Sequence, residues 1–224
     1  MSSKANKRHL KRLNAPIFFG VKRKENKYVV KPLPGRFNIK LSVPLALILR
    51  KLGVAENNRE IKIILSSDKV KVNGKIVRDR RYPIGIQDVI TIQNSNYRVG
   101  ITENGKVKID SITEDESKHR VVKVINKYKV KGGKIKATLF DGTNVEIDNN
   151  VKVNDSLKLE NQTNKILDVI KFKENAQCLV IDGLHVGKSG KIKDIKQISN
   201  NKIVTIVTDK GEEIKTVIDN VMCI

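Results

Sequence analysis

The stretch Leu41–Ile92 reads LSVPLALILRKLGVAENNREIKIILSSDKVKVNGKIVRDRRYPIGIQDVITI and decides the fold of the chain around it. Ser42 stands where an N-cap belongs, and Pro44 suits a first helical turn. Leu45, Ile48, Leu49 and Leu52 then recur at i, i+3, i+4 and i+7, and Gly53 is a natural stop. Asn57 or Asn58 caps a second, short helix whose Ile61, Ile64 and Leu65 share a face and leave Arg59 and Lys62 outside. The period next drops to two. Val70 and Val72 alternate with Lys69 and Lys71, and Asn73-Gly74 is a hairpin signal. A second strand, the turn residues Pro83 and Gly85, and the apolar run Val89–Ile92 complete the unit. Its exposed positions are mostly basic: Arg50, Lys51, Arg59, Lys62, Lys69, Lys75, Arg78, Arg80 and Arg81.

Two helices followed by a basic hairpin, with Val70-Lys71-Val72-Asn73-Gly74-Lys75 and then Pro83, Gly85 and Asp88, resemble the S4-type RNA-binding domain over about fifty residues. Basic residues that recur on several elements of one small unit fit that reading better than scattered surface charge does.

Composition points the same way. The 224 residues carry 45 Lys+Arg against 24 Asp+Glu, a net charge of +21, and so large an excess calls for a polyanionic partner. The excess is uneven. Residues 1–40 hold 12 basic residues against one acid, Glu25, whereas residues 174–224 hold seven of each and are neutral. With 39% hydrophobic residues, 4% aromatics and no Trp, the cores should be aliphatic, small and several. Cys178 and Cys223 are too few for a disulfide framework and lack metal-ligand spacing, so both should be buried thiols in a reducing compartment. The chain has no apolar run of membrane-spanning length and no signal-type leader, so a soluble cytoplasmic protein is expected.

Residues 1–40 are broken by Pro16, Gly20, Pro32, Pro34 and Gly35, and predict an extended arm that orders on its partner. Lys7, Arg8, His9, Lys11, Arg12, Lys22, Arg23 and Lys24 are its candidate phosphate contacts. Phe18, Phe19, Tyr28 and Phe37 are rings able to stack on unpaired bases, though Tyr28 and Phe37, nearest the folded part, can equally clamp the arm to its own protein. Beyond residue 96, strands at 97–99, 121–125, 134–140, 145–147, 156–159 and 165–172, with turns at Gly132-Gly133, Asp141-Gly142 and Asn149-Asn150, predict a small barrel, and Glu114–His119 a short helix. The last segment reads as five short strands. Its stretch from Cys178 to Ile195 resembles the KOW motif, with Gly183, Gly187 and Gly190 at the glycine positions and Lys188 at the basic loop position.

No constellation of catalytic residues emerges. His9, His119 and His185 lie far apart, and Glu114, Asp115 and Glu116 form a local run that suits a solvated helix start. Gly183-Leu-His-Val-Gly187-Lys188-Ser189 is one residue short of a phosphate-binding loop, with Asp182 at the first glycine and a strand period where a helix is needed. The expectation is no enzyme, no metal and no cofactor.

The order of the parts carries the last step. Lys7-Arg8-His9-Leu10-Lys11-Arg12-Leu13-Asn14-Ala15-Pro16 is followed by Pro32-Leu-Pro34-Gly35, the S4-like unit, Lys131-Gly-Gly-Lys134, Phe140-Asp-Gly142 and the KOW-like stretch. That succession resembles the S4e family of archaeal and eukaryotic small-subunit ribosomal proteins over nearly the whole chain. The resemblance implies a fixed constituent of the small subunit that binds ribosomal RNA and neighbouring ribosomal proteins, and is monomeric outside the ribosome. A KOW-bearing transcription or translation factor and an accessory to RNA modification are the alternatives. The expected fold is α+β, mainly β: a basic extension (1–40), an S4-type helix-hairpin domain (41–95), a central β-barrel domain (96–173) and a KOW-type small barrel (174–224).

Overall fold

The computed structural model describes residues 9–130, 132–198, 201–209 and 211–224. It is mainly β, with few helices, and holds three buried hydrophobic clusters. The largest is built around helix α1 (Leu45–Lys51), in which Leu45, Ala46, Leu47, Ile48 and Leu49 are all buried. A helix that is apolar all round must be covered on every side. Helix α2 (Asn58–Ser66) brings Ile61 and Leu65 to this core. A five-stranded antiparallel sheet supplies Val70, Val72, Ile90, Ile92, Val99, Ile101 and Val107.

The strands of that sheet lie in the order Lys75–Ile76, Val70–Val72, Val89–Ile92, Ser95–Ile101 and Val107–Ile112. The last strand was not foreseen, and the boundary expected between 95 and 96 falls inside a hairpin that turns at Gln93, where φ is +54°. Alternation identifies a strand without naming its partner, and Val99, Ile101 and Val107 bury into the first core, not into a separate barrel.

The start of α1 also differs from expectation. Ser42 does not cap it, and its Oγ is buried without a hydrogen-bond partner. Instead the backbone N–H groups of Leu45 and Ala46 donate to the carbonyls of Tyr82 and Arg80, each at 2.9 Å. The loop after the hairpin thus satisfies the orphan donors of the helix and is tied to it. At α2 the carboxylate of Glu60 accepts from the amides of Glu56 (2.8 Å) and Asn57 (3.3 Å).

The N-terminal segment is folded rather than extended. Leu10–Lys11 pairs antiparallel with Tyr28–Val29, and two short 3-10 turns, Arg12–Asn14 and Ile17–Phe19, lie between them. Phe18 and Phe19 are buried in the α1 core, and Phe37 is buried as well. Those three rings therefore hold the segment to the protein, each burial contributing about 1.5–3 kcal/mol, and are not free to stack on bases. Tyr28 alone of the four stays half exposed, with the His9 ring 5.6 Å away and the Lys27 ammonium 5.5 Å from its centroid.

The second cluster lies in an antiparallel sheet ordered Asn144–Glu146, Ile135–Leu139, His119–Lys129, Ser156–Glu160, Ile166–Ile170. The long middle strand pairs with Ser156–Glu160 over its first half and with Ile135–Leu139 over its second, the latter interrupted by a bulge between Val124 and Asn126. Helix α3 (Glu114–Ser117) precedes it, capped by Thr113 and Glu116. The third cluster belongs to the sheet Glu213–Val217, Asn201–Thr208, Ser189–Ile198, Gln177–Val180, Val221–Cys223. Among the described residues the end strands of neither sheet pair with one another.

The C-terminal sheet docks on the first unit through Ile181 and Met222, which enter the α1 core. Gly187 sits at this contact with φ +83°, and a Cβ there would lie 2.1 Å from the carbonyl oxygen of Thr102. Backbone cannot yield as a side chain does. Gly187→Ala is expected to lower stability by about 1–3 kcal/mol in urea unfolding, and an unchanged midpoint would show this contact to be loose. Lys123, buried in the middle sheet, donates to the carbonyls of Ile218 (2.8 Å) and Asp219 (3.0 Å), and burial pushes its pKa down to about 8 against the pull of Asp219.

Candidate nucleic-acid interface

A cleft of about 560 Å³ opens beside α2, lined by Lys62, Leu65, Arg78, Asp79 and Arg80. Burial of Ile61 and Leu65 fixes the helix so that Arg59 and Lys62 face solvent. Arg78 is set by a two-pronged contact to Asp68, Nε to Oδ1 and Nη2 to Oδ2, both 2.7 Å. The Asp68 carboxyl is held below its usual pKa, first by that hydrogen bond and then by the Arg78 charge. An exposed pair of this kind adds little stability, but it orients the guanidinium. Arg80 stays exposed while its carbonyl holds the start of α1. The Arg81 amide donates to Asp79 (2.7 Å), and its Nε donates to the carbonyl of Lys31 (3.1 Å), joining the loop to the N-terminal segment. The helix, the loop and the segment thus present cations from a fixed frame.

The other sequence-predicted residues fall into two groups. Lys11, Arg23, Lys24, Arg59, Lys62, Lys69, Lys75 and Arg80 are exposed, and none forms an ion pair among the described residues. Arg12 and Lys22 share Glu25 at 3.0 and 3.3 Å, and Lys188 pairs with Glu212 at 2.7 Å. Arg50 donates to Asn58 Oδ1 at 2.7 Å. The Lys51 ammonium lies against Gly20, and desolvation followed by the Lys106 charge lowers its pKa. Lys7 and Arg8 lie outside the described residues. Lys71, exposed between Val70 and Val72, was passed over although the strand alternation already placed it outside.

Behind these surfaces lies a cluster that sequence reading missed. Arg36 Nη2 meets Asp88 Oδ1 at 3.0 Å and Asp141 Oδ2 at 3.1 Å, and Arg120 Nη2 meets the same Asp141 oxygen at 3.0 Å. Asp88, Asp141 and Arg120 are almost wholly buried. Asp88 also accepts from Asn73 Nδ2 (2.6 Å) and from the amide of Gly85 (3.0 Å), and Arg120 donates to Asn161 and Asn164. Burial opposes charge on Asp141. Hydrogen bonds from the Thr143 hydroxyl and amide, with Arg120 and Arg36, outweigh it and hold the carboxyl below the usual range. Phe37 packs on Gly85, where a Cβ would fall 2.4 Å from the ring, and meets Phe140 edge-on at 6.0 Å. Arg36-Phe37, the Gly85–Asp88 turn and Phe140-Asp141-Gly142 therefore lock three parts of the chain together.

Among the described residues, no group of three His, Cys, Asp or Glu side chains could hold a metal ion, and no helix is long and apolar enough to cross a membrane. Cys178 and Cys223 face each other across paired strands, both buried and free, and burial raises both thiols, to about 12 and about 11.

Known proteins share this architecture. Family models match in succession: the RS4NT (NUC023) domain at residues 4–36, the S4 domain at 40–100 and the ribosomal family S4e at 93–166. The small ribosomal subunit protein eS4 of Methanocella arvoryzae is 38% identical over 209 residues, covering 91% of this chain and 88% of the relative. The protein of the same name from Methanocaldococcus jannaschii is 36% identical, covering 100% of this chain and 96% of its own. The crystal structure of the 30S ribosomal protein S4e from Thermoplasma acidophilum superposes with a TM-score of 0.72 at 30% identity, over 82% of this chain and 95% of that one. The N-terminal and S4-type parts expected from the sequence agree with these matches, and the chain belongs to the S4e family of ribosomal proteins.

Proposed function

We propose that the chain is a structural constituent of the small ribosomal subunit, in the cytoplasm, where it binds ribosomal RNA and supports assembly and translation. The observation that carries this reading is its similarity, over nine-tenths or more of its length, to relatives named as small ribosomal subunit proteins. In this reading the chain has four parts: a basic N-terminal segment to residue 40, an S4-type unit from 41 to 112, a central β unit to 173, and a KOW-type unit to the end. The role is binding rather than catalysis, and the chain is a monomer until it meets the subunit.

The RNA contacts are assigned to two basic regions. One is the N-terminal segment, with Lys7, Arg8, His9, Lys11, Arg12, Lys22, Arg23 and Lys24. The other is the face of the S4-type unit, with Arg50, Lys51, Arg59, Lys62, Lys69, Lys75, Arg78, Arg80 and Arg81; Lys188 adds a contact from the C-terminal unit. Lysine and arginine side chains of this kind hold phosphates, which positions the protein and supplies most of the affinity. The buried Arg36–Asp88–Asp141–Arg120 cluster keeps the two regions and the central unit in one geometry. Sedimentation of a cell lysate tests the reading. The chain should remain with the small subunit after a high-salt wash, and its release at that step would identify a transient factor instead.

A further inference from the structure

A second cleft, of about 750 Å³, lies between the first sheet and the central unit and shares no lining residue with the cation-lined groove beside α2. Its walls carry side-chain amides: Gln93 and Asn94 from the hairpin tip, Asn96 beside them, and Asn161 and Gln162 opposite. We propose that this cleft receives an unpaired base of RNA and reads its edge. The proposal rests on the RNA-binding reading above and adds to it a site for base recognition.

The size suits a nucleotide, since pockets for small ligands run to about 300–1,000 Å³. The chemistry suits a base rather than a phosphate. Lys71 and Lys118 on the lining are balanced by Glu114 and Glu160, and Lys118 is already paired with Asp115 at 2.7 Å. An amide offers a donor and an acceptor side by side, the pattern by which Asn and Gln recognise base edges. Among the described residues, the side chains of Gln93, Asn94 and Gln162 have no hydrogen-bond partner. The amides that shape the walls are, by contrast, committed. Asn161 accepts from Arg120 Nη1 (3.2 Å) and donates to the Ser117 carbonyl (2.5 Å), and Asn96 Oδ1 accepts from Thr91 (2.8 Å).

Two of the free amides are placed by local contacts. Gln93 has φ +54°, and its N–H donates to the Lys69 carbonyl at 3.1 Å. Gln162 presses on the opposite turn so closely that a Cβ on Gly74 would lie 2.7 Å from its Cγ. Sequence-specific recognition of RNA works mainly on unpaired bases splayed out of the helix, and a preformed polar cleft lined by free amides has the chemistry to take one.

The test compares the intact chain with Gln93→Ala/Asn94→Ala/Gln162→Ala, three exposed positions, after checking that both melt at the same temperature. The probes are single-stranded RNA 12-mers of A, of C and of U, each titrated over a salt series. The intact chain should prefer one base over the others by about tenfold or more, and the variant should bind all three within about twofold of one another at an unchanged salt slope. Equal binding of all three by the intact chain, or a preference kept by the variant, would overturn the proposal; a cleft that holds a protein segment gives the first of these results. A variant that loses the salt slope as well would make these residues part of the phosphate grip, and would also overturn it. The two readings separate cleanly: loss of base preference alone leaves the RNA-binding reading standing, whereas an intact chain without salt-dependent binding removes both.

Discussion

Between 50 and 200 mM salt, the affinity of the intact chain for small-subunit ribosomal RNA is expected to fall about 10³–10⁵-fold, the loss that follows from about 6–10 phosphate contacts. Each neutralised phosphate releases condensed counterions, and added salt opposes that release. The exposed cations without acid partners, Lys11, Arg23, Lys24, Arg59, Lys62, Lys69, Lys75 and Arg80, are numerous enough to supply such a count. Arg12, Lys22 and Lys188, already matched to Glu25 and Glu212, should contribute less. Filter binding or fluorescence anisotropy over a salt series gives the slope directly. A flat response would mean that the positive charge serves something other than RNA.

Asp141→Asn is expected to cost about 3–5 kcal/mol in urea unfolding, the loss typical when one partner of a buried ion pair is removed. The side chain keeps its shape, so the effect reports charge and not a cavity. Arg120, 2% exposed, and Arg36 would each lose the shared carboxylate, and Arg120 would retain only Asn161 and Asn164. The pH dependence follows from the lowered carboxyl of Asp141. Its ionised form is favoured by folding, so the stabilisation is complete above the ordinary Asp value, about 4, and fades as pH falls through the lower value of the folded state. The stability difference between the native chain and Asp141→Asn should hold from neutral pH down to about 4 and shrink only below it. A difference that disappears near neutrality would contradict the role given to this carboxylate.

Some of this was legible in the sequence. Local signals were read well. The apolar spacing of Leu45 to Leu52 gave α1, ended by Gly53 at φ +69°, and Asn73-Gly74 gave a turn with φ +50° and +77°. The strand alternation gave most of the strands. What failed was long-range. Ser42 was expected to cap α1 because nothing local shows that the Arg80 and Tyr82 carbonyls arrive there first. Phe18 and Phe19 stand among basic residues, and local composition made them candidates for stacking. Yet Leu45-Ala-Leu-Ile-Leu49, apolar on every side, already required cover from elsewhere in the chain.

The buried charges were hidden for a similar reason. Arg36 and Asp141 stand 105 residues apart, and each looked like an ordinary residue of a basic segment or a turn. No periodicity marks a pair that forms only when three parts of the chain close on one point. The amide cleft is likewise invisible before folding, because Gln93 and Gln162 meet only across the junction between the first sheet and the central unit.

The central claim is that the α2 face and its neighbouring loop hold ribosomal RNA. Incorporation under competition measures it most directly. Cells would express the native chain together with a tagged Arg59→Glu/Lys62→Glu/Arg80→Glu chain at equal levels, and the small subunits would be isolated and the two forms counted. All three positions are exposed, so the variant should fold normally. The variant is predicted in no more than about a tenth of the subunits, which corresponds to about 1.4 kcal/mol or more of lost binding. Equal shares of the two forms, with the variant folded, would contradict the claim.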